Sequence, residues 1–184
     1  MARERIDAVI ARALAEGATP GAAVVVGRGD RIVFEGYYGS LAPGEATVTA
    51  ETVYDLSSLT KPLATLACVL RVAAARGGTL AEPLHRLLPE LAGDRADPRK
   101  RDITLYFERL SAAETREGKA LVATEDGARR IVAMACEEAL IDGPGRVVIY
   151  SDVGYILLGE WLARASGRRL DRLFAEEIAT PLGL

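Results

Sequence analysis

The sequence has a single histidine, His85, and only two cysteines, Cys68 and Cys136. A histidine-based catalytic triad would rest on that one residue with no supporting motif around it, so His85 reads as structural. No Cys-x-x-Cys pair and no histidine cluster accompanies the cysteines. Both fall on apolar faces of expected helices, and they read as buried thiols rather than as a disulfide or a metal pair. No metal and no cofactor is expected. Charge of one sign is also lacking: a net charge of −3 gives no electrostatic case for binding nucleic acid or a membrane surface. The basic run Arg95 to Arg101, with Asp97 inside it, reads as a solvated loop. No window reads as an unbroken apolar membrane span. No glycine-rich loop sits in the strand-to-helix setting of a nucleotide site. Met1 to Asp7 has no apolar signal region, so the expected location is the cytoplasm, or outside it if an export leader has been cleaved. Internal repeats, low-complexity tracts and interdomain linkers are absent from the sequence.

What is present suits one folded domain. At 184 residues, 49% hydrophobic and 27% charged, the chain can bury a sizeable core. Ile6, Val9, Ile10, Ala13 and Leu14 recur at helical spacing, which predicts a first helix from Arg5 to Glu16, ended by Gly17. Ala22 to Gly27 and Arg31 to Tyr38 are β-rich runs around Arg28-Gly29-Asp30, the pattern of a hairpin. Gly36 interrupts the second run and reads as a bulge. A long apolar helix is expected from about Ser58 to Arg76, stopping at Gly77-Gly78. Pro62 is tolerable in its first turn. Leu80 to Leu91 reads as one short helix, Gly93 to Asp102 as a polar loop, and Gly127 to Ala139 as a further helix.

At the junction of strand-like and helical sequence stands Ser58-x-x-Lys61. Residues three apart on a helix share a face, so hydroxyl and ammonium can meet. Serine is a poor nucleophile until a base takes its proton, and lysine can do so only when neutral. A helix N-terminus and burial beside the apolar run that follows would both lower the lysine pKa. Ser58, rather than Ser57, has the one-turn spacing to Lys61. The spacing alone is weak, since about one such match is expected by chance in a chain this long. The longer segment Tyr54-Asp55-Leu56-Ser57-Ser58-Leu59-Thr60-Lys61-Pro62-Leu63-Ala64-Thr65 resembles the nucleophile segment of the serine β-lactamase and penicillin-binding protein superfamily. Within it, the likeness is to the class C-like branch of esterases, transesterases and D-amino-acid peptidases.

A second stretch, Arg146 to Glu160, passes from a β-rich run through Tyr150-Ser151-Asp152 into an apolar helix that Ser151 or Asp152 can cap. It resembles the family's Tyr-x-Asn motif with Asp152 in place of asparagine, a form closer to the esterase-like relatives than to cephalosporinases. A tyrosine facing a lysine tends toward phenolate. Tyr150 could then accept the serine proton and return it to the leaving group. Asp152 could hydrogen-bond Lys61 or orient substrate. The resemblance runs from about Arg5 to Leu184, broken by the divergent stretch Tyr106 to Asp142, where the family's His-Thr-Ser-Gly loop would follow Ile103-Thr104-Leu105.

The resemblance implies an α+β fold of the β-lactamase/transpeptidase type. It implies a single incomplete domain over 1–184, with residues 1–57 giving a helix and the hairpin of an antiparallel sheet, and 58–184 a mostly helical lobe. The family's third motif, Lys-Thr-Gly or His-x-Gly on a later strand, has no counterpart up to Leu184. The C-terminal sheet strands are therefore expected to be absent and turnover weak, with a separate C-terminal segment or pairing between copies completing the sheet. The implied function is a metal-free serine hydrolase or acyltransferase. Ser58 would attack an ester, amide or β-lactam carbonyl of a small molecule, and Lys61 and Tyr150 would move protons as an acyl-enzyme forms. The competing expectation is a non-catalytic ligand-binding or scaffold domain that keeps the fold.

Overall fold

The computed structural model describes residues 2–94, 96–105, 125–144, 146 and 150–184. The chain separates into two compact units, Met1–Asp55 and Leu56–Leu184.

The first unit is a helix laid on a hairpin. Helix α1 spans Ala2–Ala15. It ends in a left-handed Gly17, where the Gly17 and Ala18 amides return to the Leu14 and Ala13 carbonyls. That geometry satisfies carbonyls the last turn would otherwise leave open. Strands β1, Gly21–Arg28, and β2, Arg31–Gly39, pair antiparallel through the Gly29-Asp30 turn. Ala22, Val24 and Val26 stand opposite Tyr38, Gly36 and Phe34, so these six side-chain positions share one face. The face meets α1: Phe34 is buried, Arg3 lies over its ring at 4.9 Å, and the Tyr38 hydroxyl donates to Asp7 at 2.5 Å. Val9, expected on the packed side of α1, is instead 55% exposed.

The bulge is not at Gly36. Gly36 pairs regularly with Val24, and the register shift comes where Val26 faces Phe34 but Gly27 faces Ile32, leaving Val33 as the extra residue. Gly36 has another role. A Cβ there would meet the Tyr38 hydroxyl oxygen at 2.5 Å, so glycine leaves room for the neighbouring ring.

The second unit is organised by two helical runs. The first, Ser57–Ala75, is not a uniform α-helix. It opens with a 3-10 turn, Ser57–Leu59, continues as a π-helical segment, Lys61–Leu66, and becomes α2, Ala67–Ala75. Gly77, left-handed, ends it, with the Gly78 amide returning to Ala73. By length and composition this 19-residue run, with a mean hydropathy of 1.3, is long and apolar enough to cross a bilayer, which corrects the sequence expectation. Cys68, Val69, Val72 and Ala73 pack into the core, while Leu59, Leu63, Leu66 and Leu70 are exposed.

The other run is α4, Asp152–Ser166, whose Val153, Leu157, Leu158, Trp161 and Leu162 are buried. Ser151 caps it by accepting from the Gly154 amide at 3.1 Å. Helix α3, Glu125–Glu137, packs beside it. Cys68 and Cys136 are free, buried thiols. The core is closed by Leu84, Leu88, Leu91 and Ile103, and by Leu173 of the short helix α5, Leu170–Phe174.

Two expectations in this unit fail for identifiable reasons. Leu80 to Leu91 is not one helix but two 3-10 turns, Leu84–Arg86 and Pro89–Ala92. The backbone ahead of the first turn is committed elsewhere: Pro83 bridges Thr104, and the Leu84 and Leu105 amides bond the Ile103 and Glu82 carbonyls. The basic run is not wholly solvated either. Lys100 is 1% exposed, and its ammonium donates to the Cys136 carbonyl in the last turn of α3. The β-rich run before Tyr150 and most of the divergent stretch after Leu105 lie outside the described residues.

Candidate active site

Four residues singled out from the sequence meet in the second unit. Ser58 lies in the opening 3-10 turn and Lys61 begins the π-helical segment. Tyr150 immediately precedes the cap of α4, and Asp152 is its first residue. π-Helical segments are rare and concentrate at functional sites. Ser57, just before the candidate nucleophile, has φ of 45°, and it is the sole non-glycine in the left-handed region among the described residues. Such backbone is costly for an L-residue and marks a place where surrounding structure dictates the local path.

The centre of the site is the Lys61 ammonium. Its Nζ lies 2.6 Å from Asp152 Oδ1, and it also interacts with Tyr150. It stands 5.0 Å from the centre of the Tyr150 ring and 5.7 Å from that of Tyr155. Its side chain is 17% exposed. Tyr150 interacts with both Lys61 and Ser58, while the tyrosine itself stays largely open to solvent.

These contacts set the protonation states. Asp152, then Tyr150, raise the Lys61 pKa above the ordinary lysine value, and burial opposes them without prevailing. The sequence expectation ran the other way, toward a pKa lowered by burial and the helix end with Asp152 pulling against them. It is overturned because one carboxylate in contact outweighs partial desolvation. Conversely, Lys61 first and Ser58 second push the Tyr150 pKa below the ordinary phenol value. Lys61 is thus held toward its charged form, and Tyr150 gives up its proton more readily than an ordinary phenol. His85 Nδ1 lies 3.1 Å from the Arg101 carbonyl oxygen. Among the described residues, no three His, Cys, Asp or Glu side chains gather as a metal site. Sequence reasoning missed Tyr155. Its signal was available: three residues after Asp152 on a helix, it shares that residue's face.

The profile of the family described as Beta-lactamase matches residues 6–184. The chain belongs to the beta-lactamase family. Esterase EstB of Burkholderia gladioli is 36% identical over 104 residues, an alignment covering 55% of this chain and 26% of EstB. Among solved structures, EstCE1, described as a hydrolase with promiscuous acyltransferase activity, superposes with a TM-score of 0.80 at 23% identity, covering 99% of this chain and 51% of its own. The octameric penicillin-binding protein homologue from Pyrococcus abyssi superposes with a TM-score of 0.79 at 20% identity, covering 100% of this chain and 43% of its own. These likenesses establish a β-lactamase/transpeptidase-like fold, here with the helix-on-hairpin unit and the helical unit. The beta-lactamase-family chain spans about half the length of those structures and about a quarter of EstB.

Proposed function

We propose that this chain carries the acyl-transfer machinery of a serine hydrolase or acyltransferase acting on an ester, amide or β-lactam carbonyl. The observation that carries the reading is the Tyr150 oxygen held between Ser58 and a Lys61 ammonium that Asp152 anchors. Tyr150, as phenolate, takes the Ser58 proton while the serine oxygen bonds to the substrate carbonyl carbon. As the tetrahedral adduct collapses, the bond to the leaving group breaks, and Tyr150 returns the proton to the departing oxygen or nitrogen. Water or an acceptor alcohol then enters by the same path in reverse, losing its proton to Tyr150 and releasing the acyl group from Ser58. Lys61 remains charged throughout. Its task is to keep Tyr150 acidic and to offset the negative charge that builds during attack.

The family and its esterase relative support this reading. Mass spectrometry after exposure to a fluorophosphonate and, separately, to a penicillin tests it. A single adduct on Ser58 is expected, and an adduct mapped to Ser57, or none with either reagent, contradicts it. The partner we propose besides the small acyl substrate is a second copy of the chain. Both hairpin strands are edges among the described residues, and Val25, Ile32 and Val33 are exposed on them. Sedimentation should show association that rises with concentration and weakens in Val33→Lys.

A further inference from the structure

Tyr155 lies on α4 three residues after Asp152, so both side chains leave the same face of the helix. Between them and Tyr150 they surround one group. The Lys61 ammonium has the Asp152 carboxylate at 2.6 Å and two ring centres at 5.0 and 5.7 Å, Tyr150 and Tyr155 respectively. An aromatic face attracts a cation within about 6 Å of its centre, and the attraction grows as water is removed. Water is largely removed here, with the lysine side chain 17% exposed. Tyr155 is itself half-buried and packed against the core, so its ring is a fixed wall.

We propose that Tyr155 is a positioning residue: the face of its ring holds the Lys61 ammonium beside the Tyr150 oxygen. The proposal rests on the reading in which Tyr150 takes the Ser58 proton. A carboxylate alone would let the flexible lysine stem swing with Asp152, which is about half exposed. A rigid ring on a second side confines the ammonium without adding another negative charge that would compete with the phenolate.

The electrostatic surroundings permit a clean test. Other elements packed on this run carry Arg71 on α2, Glu160 and Arg164 on α4, and Asp171 and Arg172 on α5. Arg71 pairs with Glu177, Arg164 with Glu90 and Glu160, and Asp171 with Arg169. The charges that act on Lys61 are those of Asp152 and Tyr150. Loss of the ring therefore reads out through this small set. With the ammonium less firmly held, Tyr150 is less acidic and Lys61 loses its proton more easily. The acid limb of the pH profile should move up and the basic limb down.

The experiment is the rate of Ser58 labelling by a fluorophosphonate across pH. It compares the wild-type chain with Tyr155→Phe, Tyr155→Leu and Tyr150→Phe, and with a ring-fluorinated phenylalanine at position 155. Tyr155→Phe should keep both limbs. Tyr155→Leu should raise the acid limb by about half a pH unit, the scale of one cation–aromatic contact. The fluorinated ring keeps volume and packing but reverses the charge distribution of the face, so it should behave as Tyr155→Leu does even if the leucine variant folds poorly. If Tyr155→Leu and the fluorinated variant slow labelling while both limbs stay in place, the ring is packing only and the proposal is overturned. Wild-type labelling in Tyr150→Phe would instead overturn the underlying reading, and the proposal with it.

Discussion

The Lys61 ammonium and the Asp152 carboxylate meet at 2.6 Å. This contact joins the start of the Ser57–Ala75 run to the first turn of α4. It decides the charge of the site, because Asp152 is the largest influence raising the Lys61 pKa. A lysine so held is a poor base and a good electrostatic partner. In the proposed mechanism the proton acceptor is then the tyrosine beside the lysine.

Asp152→Asn should therefore narrow the range of activity from the alkaline side. The proposed mechanism needs Tyr150 without its proton and Lys61 with it. Removing the carboxylate lowers the Lys61 pKa, so the basic limb of Ser58 acylation should move to lower pH. The measurement is the fluorophosphonate labelling rate between neutral and strongly alkaline pH. A basic limb that stays put would separate Asp152 from the control of Lys61.

Ser57 offers a test of backbone strain. Its left-handed φ of 45° suits glycine, and a β-branched side chain is least tolerated there. Ser57→Gly should keep both the fold and Ser58 acylation. Ser57→Val should lose about 1–3 kcal/mol of stability, the cost of forcing a side chain into sparsely populated backbone. Thermal unfolding of the two variants checks the difference, and equal midpoints would mean that the turn relaxes freely.

Much of this architecture was legible in the sequence, and the rest depended on partners far along the chain. Gly17 and Arg28-Gly29-Asp30 marked the end of α1 and the hairpin turn because glycine's backbone freedom is a local property. Ser58, Lys61 and Tyr150 stood out through extended motifs. The direction of the Lys61 pKa did not: Asp152 was visible as an opposing influence, but that it outweighs burial depends on how closely α4 brings it. The short helix expected over Leu80 to Leu91 gave way to 3-10 turns because Glu82 to Leu84 bond with Ile103 to Leu105. Val33 rather than Gly36 bulges because register is set by both strands together. Lys100 looked solvated because its burial requires a carbonyl on α3 that local sequence cannot announce.

Lys100 makes a pH prediction of its own. Burial pushes its pKa below the ordinary 10.5. The folded state therefore releases this proton sooner than the unfolded chain does. Between the lowered folded value and about 10.5, the unfolded state binds more protons, so stability should rise with pH. Cys136 opposes this at the upper end. Burial lifts its thiol to about 11 from 9.0, so the folded state holds that proton longer and stability falls as pH climbs through that range. Lys100→Met keeps the aliphatic volume, removes the first effect and leaves the second in place, without the Lys100 charge that lowers the Cys136 thiol pKa. Denaturant unfolding at several alkaline pH values should show a rising component in the wild type that the variant lacks. Parallel profiles would mean that Lys100 does not titrate differently in the two states.

The central claim, that Tyr150 is the base for Ser58 and Lys61 its electrostatic support, is tested most directly by the pH dependence of acylation in Lys61→Met. Without the ammonium, Tyr150 should return toward the ordinary phenol value of about 10 and be almost wholly protonated at neutral pH. The account predicts that Ser58 labelling in Lys61→Met falls by about a hundredfold or more at pH 7, the scale of lost general-base assistance, and recovers as pH rises toward that value. Labelling that stays absent at every pH in a folded Lys61→Met chain would make the lysine itself the base, and labelling unchanged at pH 7 would remove it from the mechanism altogether.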